Sequence, residues 1–198
     1  LSNHQTDMDP VLINFSFNRL LRPLATDNIF SKDLFGYVVR KFGGIPKRKG
    51  VVDAKSTMAL FKAAKNNESL LIFPEGNRTY AEFQYFISES LVKMIKMMKK
   101  TLILYNLHGG TGTRPRFKHK IRHGKFYGEI KKVLTYEEYK DIPDGELLAI
   151  IKDNIKVYDS DSGELYKSSR RAEYLERMFF VCPACETTQN LYSKKNSD

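Results

Sequence analysis

Apolar residues near the start of the chain recur at helical spacing. Asp9 followed by Pro10 is typical of a helix start, because aspartate caps helices well and proline is tolerated in the first turn. The pattern predicts a helix over 10–21, ended by Pro23. One face of this helix would carry the apolar residues Ile13, Phe17, Leu20, Leu21 and Leu24.

Two further helices are predicted before the middle of the chain. The first covers 32–42 and ends at the pair Gly43-Gly44. Asp53 is expected to cap the second, which turns Leu60, Phe61 and Ala64 inward.

Short continuous apolar runs then alternate with helical segments. Segments 69–73 and 101–107 have the length and composition of buried strands, and a helix containing Phe86 to Met98 separates them. A last helix is predicted over 147–157. This alternation indicates an α/β fold with a mixed central sheet flanked by helices. We expect a single domain over 1–158 and a polar tail over 159–198.

Composition and charge narrow the classes of protein that fit. The chain has 198 residues, 41% of them hydrophobic, which excludes a disordered chain. No apolar run reaches the ~20 residues that span a bilayer. The net charge of +10 fits a solvated basic surface or an anionic partner such as lipid headgroups, coenzyme A or nucleic acid. Because the chain begins at Leu1 and not at methionine, we expect residues upstream that could anchor it to a membrane.

Three segments carry residues suited to chemistry. In the first, Asn3-His4-Gln5-Thr6-Asp7-Met8-Asp9, a turn could bring Asp9 onto His4, so that the carboxylate orients an imidazole acting as a base. The alternative is a surface histidine beside a capping aspartate.

The other two segments combine tight turns with charged residues. Phe73-Pro74-Glu75-Gly76-Asn77-Arg78-Thr79 follows a buried strand, so Glu75 and Arg78 would lie where α/β folds place ligands. The segment 43–50 places three cations after two glycines. A local ion pair and a solvated basic turn are the alternatives for these two segments.

In order and spacing, the three segments resemble the motifs of the glycerolipid acyltransferase family, which includes the lysophosphatidic acid acyltransferases. The resemblance covers roughly residues 1 to 130. Two departures concern the acceptor site: Asn77 replaces the usual threonine, and the strand 101–107 lacks the proline of a fourth family motif. The residues that match the three motifs are Asn3, His4 and Asp9, then Gly44, Ile45 and Arg48, then Phe73, Pro74, Glu75, Gly76, Arg78 and Thr79.

The resemblance implies an O-acyltransferase of phospholipid biosynthesis. His4 and Asp9 would form the catalytic pair, and the acceptor would be bound by Arg48, Glu75, Gly76 and Arg78. The donor would be acyl-coenzyme A or acyl-carrier protein, and the acceptor a lysophospholipid, with 1-acylglycerol-3-phosphate as the first candidate. Glycerol-3-phosphate or another lysolipid is the alternative acceptor. The family also implies that catalysis needs no cofactor or metal, and that the enzyme works at the cytoplasmic face of a membrane.

The tail contains Cys182-Pro183-Ala184-Cys185, which looks like half of a zinc ribbon. Tetrahedral structural zinc needs four ligands, so we expect Cys182 and Cys185 to bind it only in a longer chain. The basic charge and this pair also leave open a zinc-ribbon protein that binds nucleic acid. That alternative gives no role to His4, Asp9 or Glu75, and we therefore expect no nucleic-acid partner.

Overall fold

The computed structural model describes residues 1–31, 33–48, 53–118, 120–188 and 191–193. The strands are β1 (Leu21–Thr26), β2 (Ile45–Lys47), β3 (Ser69–Leu71), β4 (Leu102–His108) and β5 (Tyr127–Leu134). The helices are α1 (Asp9–Phe15), α2 (Asp27–Phe30), α3 (Asp33–Lys41), α4 (Ala54–Lys65), α5 (Ser90–Met98), α6 (Gly110–Thr113), α7 (Tyr136–Tyr139) and α8 (Asp144–Ile155). Short 3-10 turns follow at Asp159–Ser162 and Leu175–Arg177.

The strands form a parallel group in the order β2-β1-β3 and an antiparallel pair, β4-β5. Residues 1–3 lie between the two groups. The Ser2 amide donates to the carbonyl of Ile72 (3.3 Å), and the Tyr105 amide donates to the carbonyl of Leu1 (2.8 Å). Ser2 also forms a parallel bridge with Tyr105, so the carboxyl ends of β1, β2, β3 and β4 share one edge.

Asn3 extends this pairing with its side chain. Its Nδ2 donates to the carbonyl of Leu107 (2.9 Å), and its Oδ1 accepts from the Leu107 amide (2.8 Å). The Asn3 side-chain amide therefore makes the two hydrogen bonds that a further backbone residue would make with β4. The chain can leave the sheet immediately afterwards, at His4.

Apolar residues pack on both faces of the sheet, as expected when neighbouring strand residues point to opposite faces. The larger cluster joins the sheet to α4, α5, α7 and α8 through residues such as Leu60, Val92, Leu104, Tyr139 and Ile151. A smaller cluster packs α1 on the sheet through Ile13, Leu21, Leu71, Tyr105 and Leu107. A mixed sheet with helices on both faces confirms the predicted α/β class.

The predicted helix over 10–21 is wrong in its second half, because α1 ends at Phe15 and Leu21 begins β1. Asn14 makes the change of direction: its Oδ1 accepts from the Leu21 amide (2.8 Å), and its Nδ2 donates to the carbonyls of Pro10 and Leu21. Pro23 lies inside β1, at the point where the partner of that strand changes from β3 to β2.

The longer helices α3, α4, α5 and α8 and the strands β3 and β4 fit the sequence pattern to within a few residues, whereas the short helices α2 and α6 and two strands were missed. α3 begins at Asp33, Lys32 lies outside the described residues, and Gly43 follows the helix with φ of 64°. Asp53 caps α4 through its side chain, as predicted, and Leu60 and Ala64 are buried. β2 and β5 had not been predicted. In the described part of the chain, no helix is long and apolar enough to cross a membrane.

The segment that follows α8 packs against the loop between β4 and β5. A Cβ placed on Gly112 or Gly124 would come 2.2 Å from the Tyr166 ring, so those glycines leave room for the tyrosine. His123 and Lys167 also exchange two backbone hydrogen bonds. The domain boundary at 158/159 stays a prediction.

Candidate active site

The turn between residue 4 and α1 brings His4 and Asp9 together. His4 Nδ1 lies 2.8 Å from Asp9 Oδ2, and the Asp9 side chain is fully buried, while 18% of the His4 side chain is exposed. A carboxylate at Nδ1 fixes the imidazole tautomer, so that Nε2 is the nitrogen able to accept a proton. His4–Asp9 is therefore a contact in the folded protein, as the spacing of the two residues had suggested.

Asp9 also holds the turn that carries His4. Its Oδ2 accepts from the backbone amides of Gln5 (2.6 Å) and Thr6 (2.9 Å), and its Oδ1 accepts from the Thr6 hydroxyl (2.5 Å). With His4, four donors converge on one buried carboxylate, which offsets the cost of removing its charge from water.

The loop after β3 lies against the same turn. The His4 and Phe73 rings stack with their centroids 4.1 Å apart, and the Thr79 amide donates to the carbonyl of His4 (2.9 Å). Gly76 has φ of 68°, a conformation that favours glycine and lets the loop reverse immediately after Glu75. Two of the three predicted motifs therefore meet at one place.

Glu75 is buried, with 8% of the residue exposed. Its Oε2 accepts from the Tyr85 amide (3.2 Å). Burial raises the pKa of the Glu75 carboxyl to about 7, against the opposing effect of hydrogen bonds from the backbone of Tyr85 and His4. Among the described residues Glu75 forms no ion pair with Arg78, so the local pair considered from the sequence is wrong.

The raised pKa of the buried Glu75 carboxyl should make the free energy of unfolding depend on pH. Below pH 4.5, Glu75 is protonated in both the folded and the unfolded protein; between pH 4.5 and about 7 only the folded protein keeps the proton. The free energy of unfolding should therefore fall as the pH rises through this range, by on the order of 3 kcal/mol. Glu75→Gln should remove that dependence.

Urea denaturation at pH 4.5 and pH 8 measures the effect as the difference between wild type and variant. The exposed Glu137, whose side chain is 73% accessible, provides the control substitution Glu137→Gln. An unchanged pH dependence in Glu75→Gln would show that burial does not raise the pKa of this carboxyl.

Arg78 lies beside Asp7, which is itself in the middle of the turn from His4 to Asp9. Arg78 Nη1 is 3.8 Å from Asp7 Oδ1, and Arg114 Nη2 is 3.1 Å from Asp7 Oδ2. The sequence did not single out Arg114. Its one signal was its position after the glycines that end β4, on the edge where α/β folds bind ligands.

Arg48 follows β2 at the same edge of the sheet and is exposed. Its backbone amide donates to Asp53 Oδ2 (3.0 Å), and this bond is the main reason that the pKa of the Asp53 carboxyl lies below its usual value. β1 lies between β2 and β3, so Arg48 is two strand spacings, about 10 Å, from the Glu75 loop. Lys49 and Gly50 lie outside the described residues.

Asp159 lies next to the pair although it follows the predicted domain. Its Oδ2 accepts from Gln5 Nε2 (3.0 Å) and from the Thr111 hydroxyl (2.7 Å), and the residue is 5% exposed. Gln5 Oε1 in turn accepts from the Gly110 amide (2.8 Å). Asp159 therefore ties the residue that follows His4 to the loop after β4. No local sequence pattern indicates such a contact.

Cys182 and Cys185 lie in a small hairpin closed by a bridge between Val181 and Thr188. The Cys182 amide donates to the carbonyl of Thr187 (3.0 Å), and Cys185 Sγ lies 3.0 Å from Thr187 Oγ1. The contact with Thr187 lowers the pKa of the Cys185 thiol. In the described ranges, no three metal-ligating side chains come together, so zinc binding by a longer chain stays a prediction.

The fold and the paired side chains define a class: an α/β domain in which a half-buried histidine, paired with a buried carboxylate, lies at the carboxyl edge of a mixed sheet. Residues 1–107 match the profile of the Acyltransferase family, and the chain belongs to that family. None of the curated proteins compared with the chain matches it significantly.

Among solved structures, the chain is similar to PlsC from Thermotoga maritima, described as a 1-acyl-sn-glycerophosphate (LPA) acyltransferase. The match has a TM-score of 0.66 at 15% identity and covers 82% of this chain. It covers 64% of the PlsC chain, so the chain described here spans less than two thirds of that protein. At this identity, the similarity shows the shared fold.

Proposed function

We propose that the protein transfers a fatty acyl group from a thioester donor to the free hydroxyl of a lysophospholipid. The observation that carries the proposal is the 2.8 Å contact between His4 and the buried Asp9 at the carboxyl edge of the sheet. Membership of the Acyltransferase family supports the reaction class. The first-choice acceptor is 1-acylglycerol-3-phosphate, and the donor is acyl-coenzyme A or acyl-carrier protein.

In the proposed reaction, His4 Nε2 removes the proton from the acceptor hydroxyl as its oxygen attacks the thioester carbonyl carbon. The tetrahedral intermediate collapses as the carbon–sulfur bond breaks, and the leaving thiolate takes the proton back from the imidazolium. Asp9 stabilises that imidazolium through Nδ1. The new ester forms directly, so the proposal requires no acyl-enzyme and draws on no cofactor or metal.

For the acceptor, we propose that Arg78 binds the phosphate and that Arg48 approaches it from the β2 side of the edge. Arginine suits this role because its planar fork matches phosphate oxygens. Glu75 lines a small cavity together with His4 and would provide a hydrogen-bonding group for an acceptor hydroxyl, and the Gly76 turn would let the backbone approach the acceptor.

We also propose that the protein works on a membrane, at its cytoplasmic face. Large apolar side chains on and after α1 are exposed: 81% of Phe15 and 54% of Leu20 are accessible to solvent. The net charge of +10 would draw this surface to anionic lipid. Co-sedimentation with anionic vesicles should exceed binding to an oligonucleotide at the same salt concentration. The reverse preference would favour a nucleic-acid-binding protein.

An acyl-transfer assay tests the function. The purified protein is given labelled acyl-coenzyme A or acyl-carrier protein with 1-acylglycerol-3-phosphate, glycerol-3-phosphate or a lysophosphatidylcholine. Labelled phosphatidic acid should be the main product. Transfer to one of the other acceptors would replace the proposed substrate. Absence of transfer from either donor to all three acceptors would contradict the function.

A further inference from the structure

Two arginines from separate parts of the chain converge on one carboxylate beside the catalytic turn. Arg114 Nη2 lies 3.1 Å from Asp7 Oδ2, and Arg78 Nη1 lies 3.8 Å from Asp7 Oδ1. Each arginine side chain is 33% exposed and the Asp7 side chain 41%. The two guanidinium groups carry one more positive charge than the carboxylate neutralises.

Asp7 does not fully satisfy the two guanidinium groups. At 3.8 Å, Arg78 is too far from Asp7 for a direct hydrogen bond. Asp7 Oδ1 is shielded from water, yet has no hydrogen-bond partner among the described residues. An anion that takes the place of the Asp7 carboxylate would engage both guanidinium groups.

A third arginine holds the Arg78 loop in place. Arg116 Nη1 donates to the carbonyl of Arg78 (2.8 Å), and its guanidinium lies 4.0 Å from the centre of the Tyr80 ring. Arg78 is thus presented from a fixed backbone, which lowers the entropy that binding must overcome.

We propose that Arg114 and Arg78 together bind the phosphate monoester of the acceptor, and that Asp7 is the counter-ion with which this phosphate competes. The inference rests on the proposed function and adds Arg114 to the arginines assigned to the phosphate there. Asp7 belongs to the turn that carries His4, and the Thr79 amide, next to Arg78, donates to the carbonyl of His4 (2.9 Å), so a phosphate bound there would lie on the His4 side of the site. Acceptors without a terminal phosphate would gain nothing from Arg114.

If the contact between Arg114 and Asp7 were purely structural, replacing the two residues would affect the acceptor KM differently. Ion pairs at this level of exposure contribute little to stability, and removing either partner should then have effects in the same direction. In the proposed role the two partners act oppositely: Arg114 holds the phosphate and Asp7 competes with it.

The test uses Arg114→Ala and Asp7→Asn in steady-state kinetics with 1-acylglycerol-3-phosphate as the varied substrate. Arg114→Ala should raise the acceptor KM about tenfold or more, the effect of losing a charge-assisted contact. Asp7→Asn should lower it severalfold, and Arg114→Lys should recover part of the loss, since lysine keeps the charge without the fork. Equal changes in the same direction would overturn the proposal.

The chain offers a matched control pair. Arg22 and Glu68 form an ion pair of similar exposure, 31% and 35%, towards the amino ends of β1 and β3. Arg22→Ala and Glu68→Gln should leave the acceptor KM unchanged. Thermal denaturation of all five variants shows whether each is folded.

Two further experiments are needed. One distinguishes the phosphate of the acceptor from that of the donor, and the other tests phosphate binding independently of acyl transfer. Coenzyme A also carries a phosphate monoester, so the donor KM is measured with acyl-coenzyme A and its 3′-dephospho form. A donor effect of Arg114→Ala that disappears with the dephospho donor would assign the site to coenzyme A and overturn the acceptor assignment. Calorimetric titration with glycerol 3-phosphate, against glycerol, tests binding without turnover. Weaker phosphate binding by Arg114→Ala would support the site even if acyl transfer itself were absent.

Discussion

Replacing His4 with alanine is expected to lower the turnover of acyl transfer by roughly 10² to 10⁴, the usual cost of losing a general base. The protein should still fold, because the half-buried ring contributes one stacking contact with Phe73 and one hydrogen bond to Asp9. Initial rates at saturating donor and acceptor, with circular dichroism on the same samples, measure both effects.

His108 provides a matched control for this substitution. It stacks on Tyr127 with the ring centroids 4.7 Å apart, and its Nε2 lies 3.3 Å from Glu129 Oε1. Its exposure of 23% is close to the 18% of His4. His108→Ala should change turnover by no more than a few fold. If His4→Ala behaves in the same way, His4 is not the base.

Two replacements of Asp9 should separate its part in catalysis from its part in folding. Asp9→Asn keeps an acceptor for the Gln5 and Thr6 amides but loses the charge that stabilises protonated His4. We expect turnover to fall by ~10² or more, because protonated His4 loses its carboxylate partner, with little loss of stability. Asp9→Ala leaves three donors of Gln5 and Thr6 unpaired inside the protein and should also lower the free energy of unfolding by about 3 kcal/mol.

Urea denaturation and steady-state rates on the two variants distinguish these contributions. A large loss of stability in Asp9→Asn would mean that the charge serves the turn as much as the reaction. Normal turnover in a folded Asp9→Asn protein would remove Asp9 from the proposed catalytic pair.

The sequence was most informative where several candidate site residues lie close together in one short segment. His4 and Asp9 lie within one turn, and Glu75, Gly76 and Arg78 within another, so their spacing alone indicated two clusters. That the two turns meet depended on the resemblance to the family. Asp159 and Arg114 escaped notice because each reaches the site through packing, far along the chain from the residue it contacts.

Two of the strands were missed for physical reasons that their sequences make clear. Seven of the eight residues of β5 are exposed, so Tyr127–Leu134 lacks the apolar run that marked β4. In β1, Leu21 and Leu24 happened to continue the helical spacing of α1, and Pro23 suggested a helix end. Proline is tolerated there because the neighbours of β1 change at that residue.

The strand position of residues 1–3 has a consequence for folding. These residues complete the sheet only by pairing with β4, and Asn3 bonds Leu107 across 104 positions of sequence. Contacts of such high sequence separation close late and slow the folding of a domain. His4 and Asp9 are near neighbours in the chain, yet the backbone that aims His4 is anchored by this distant pairing. We therefore expect the catalytic geometry to form only when β4 docks, after the helices have acquired their structure.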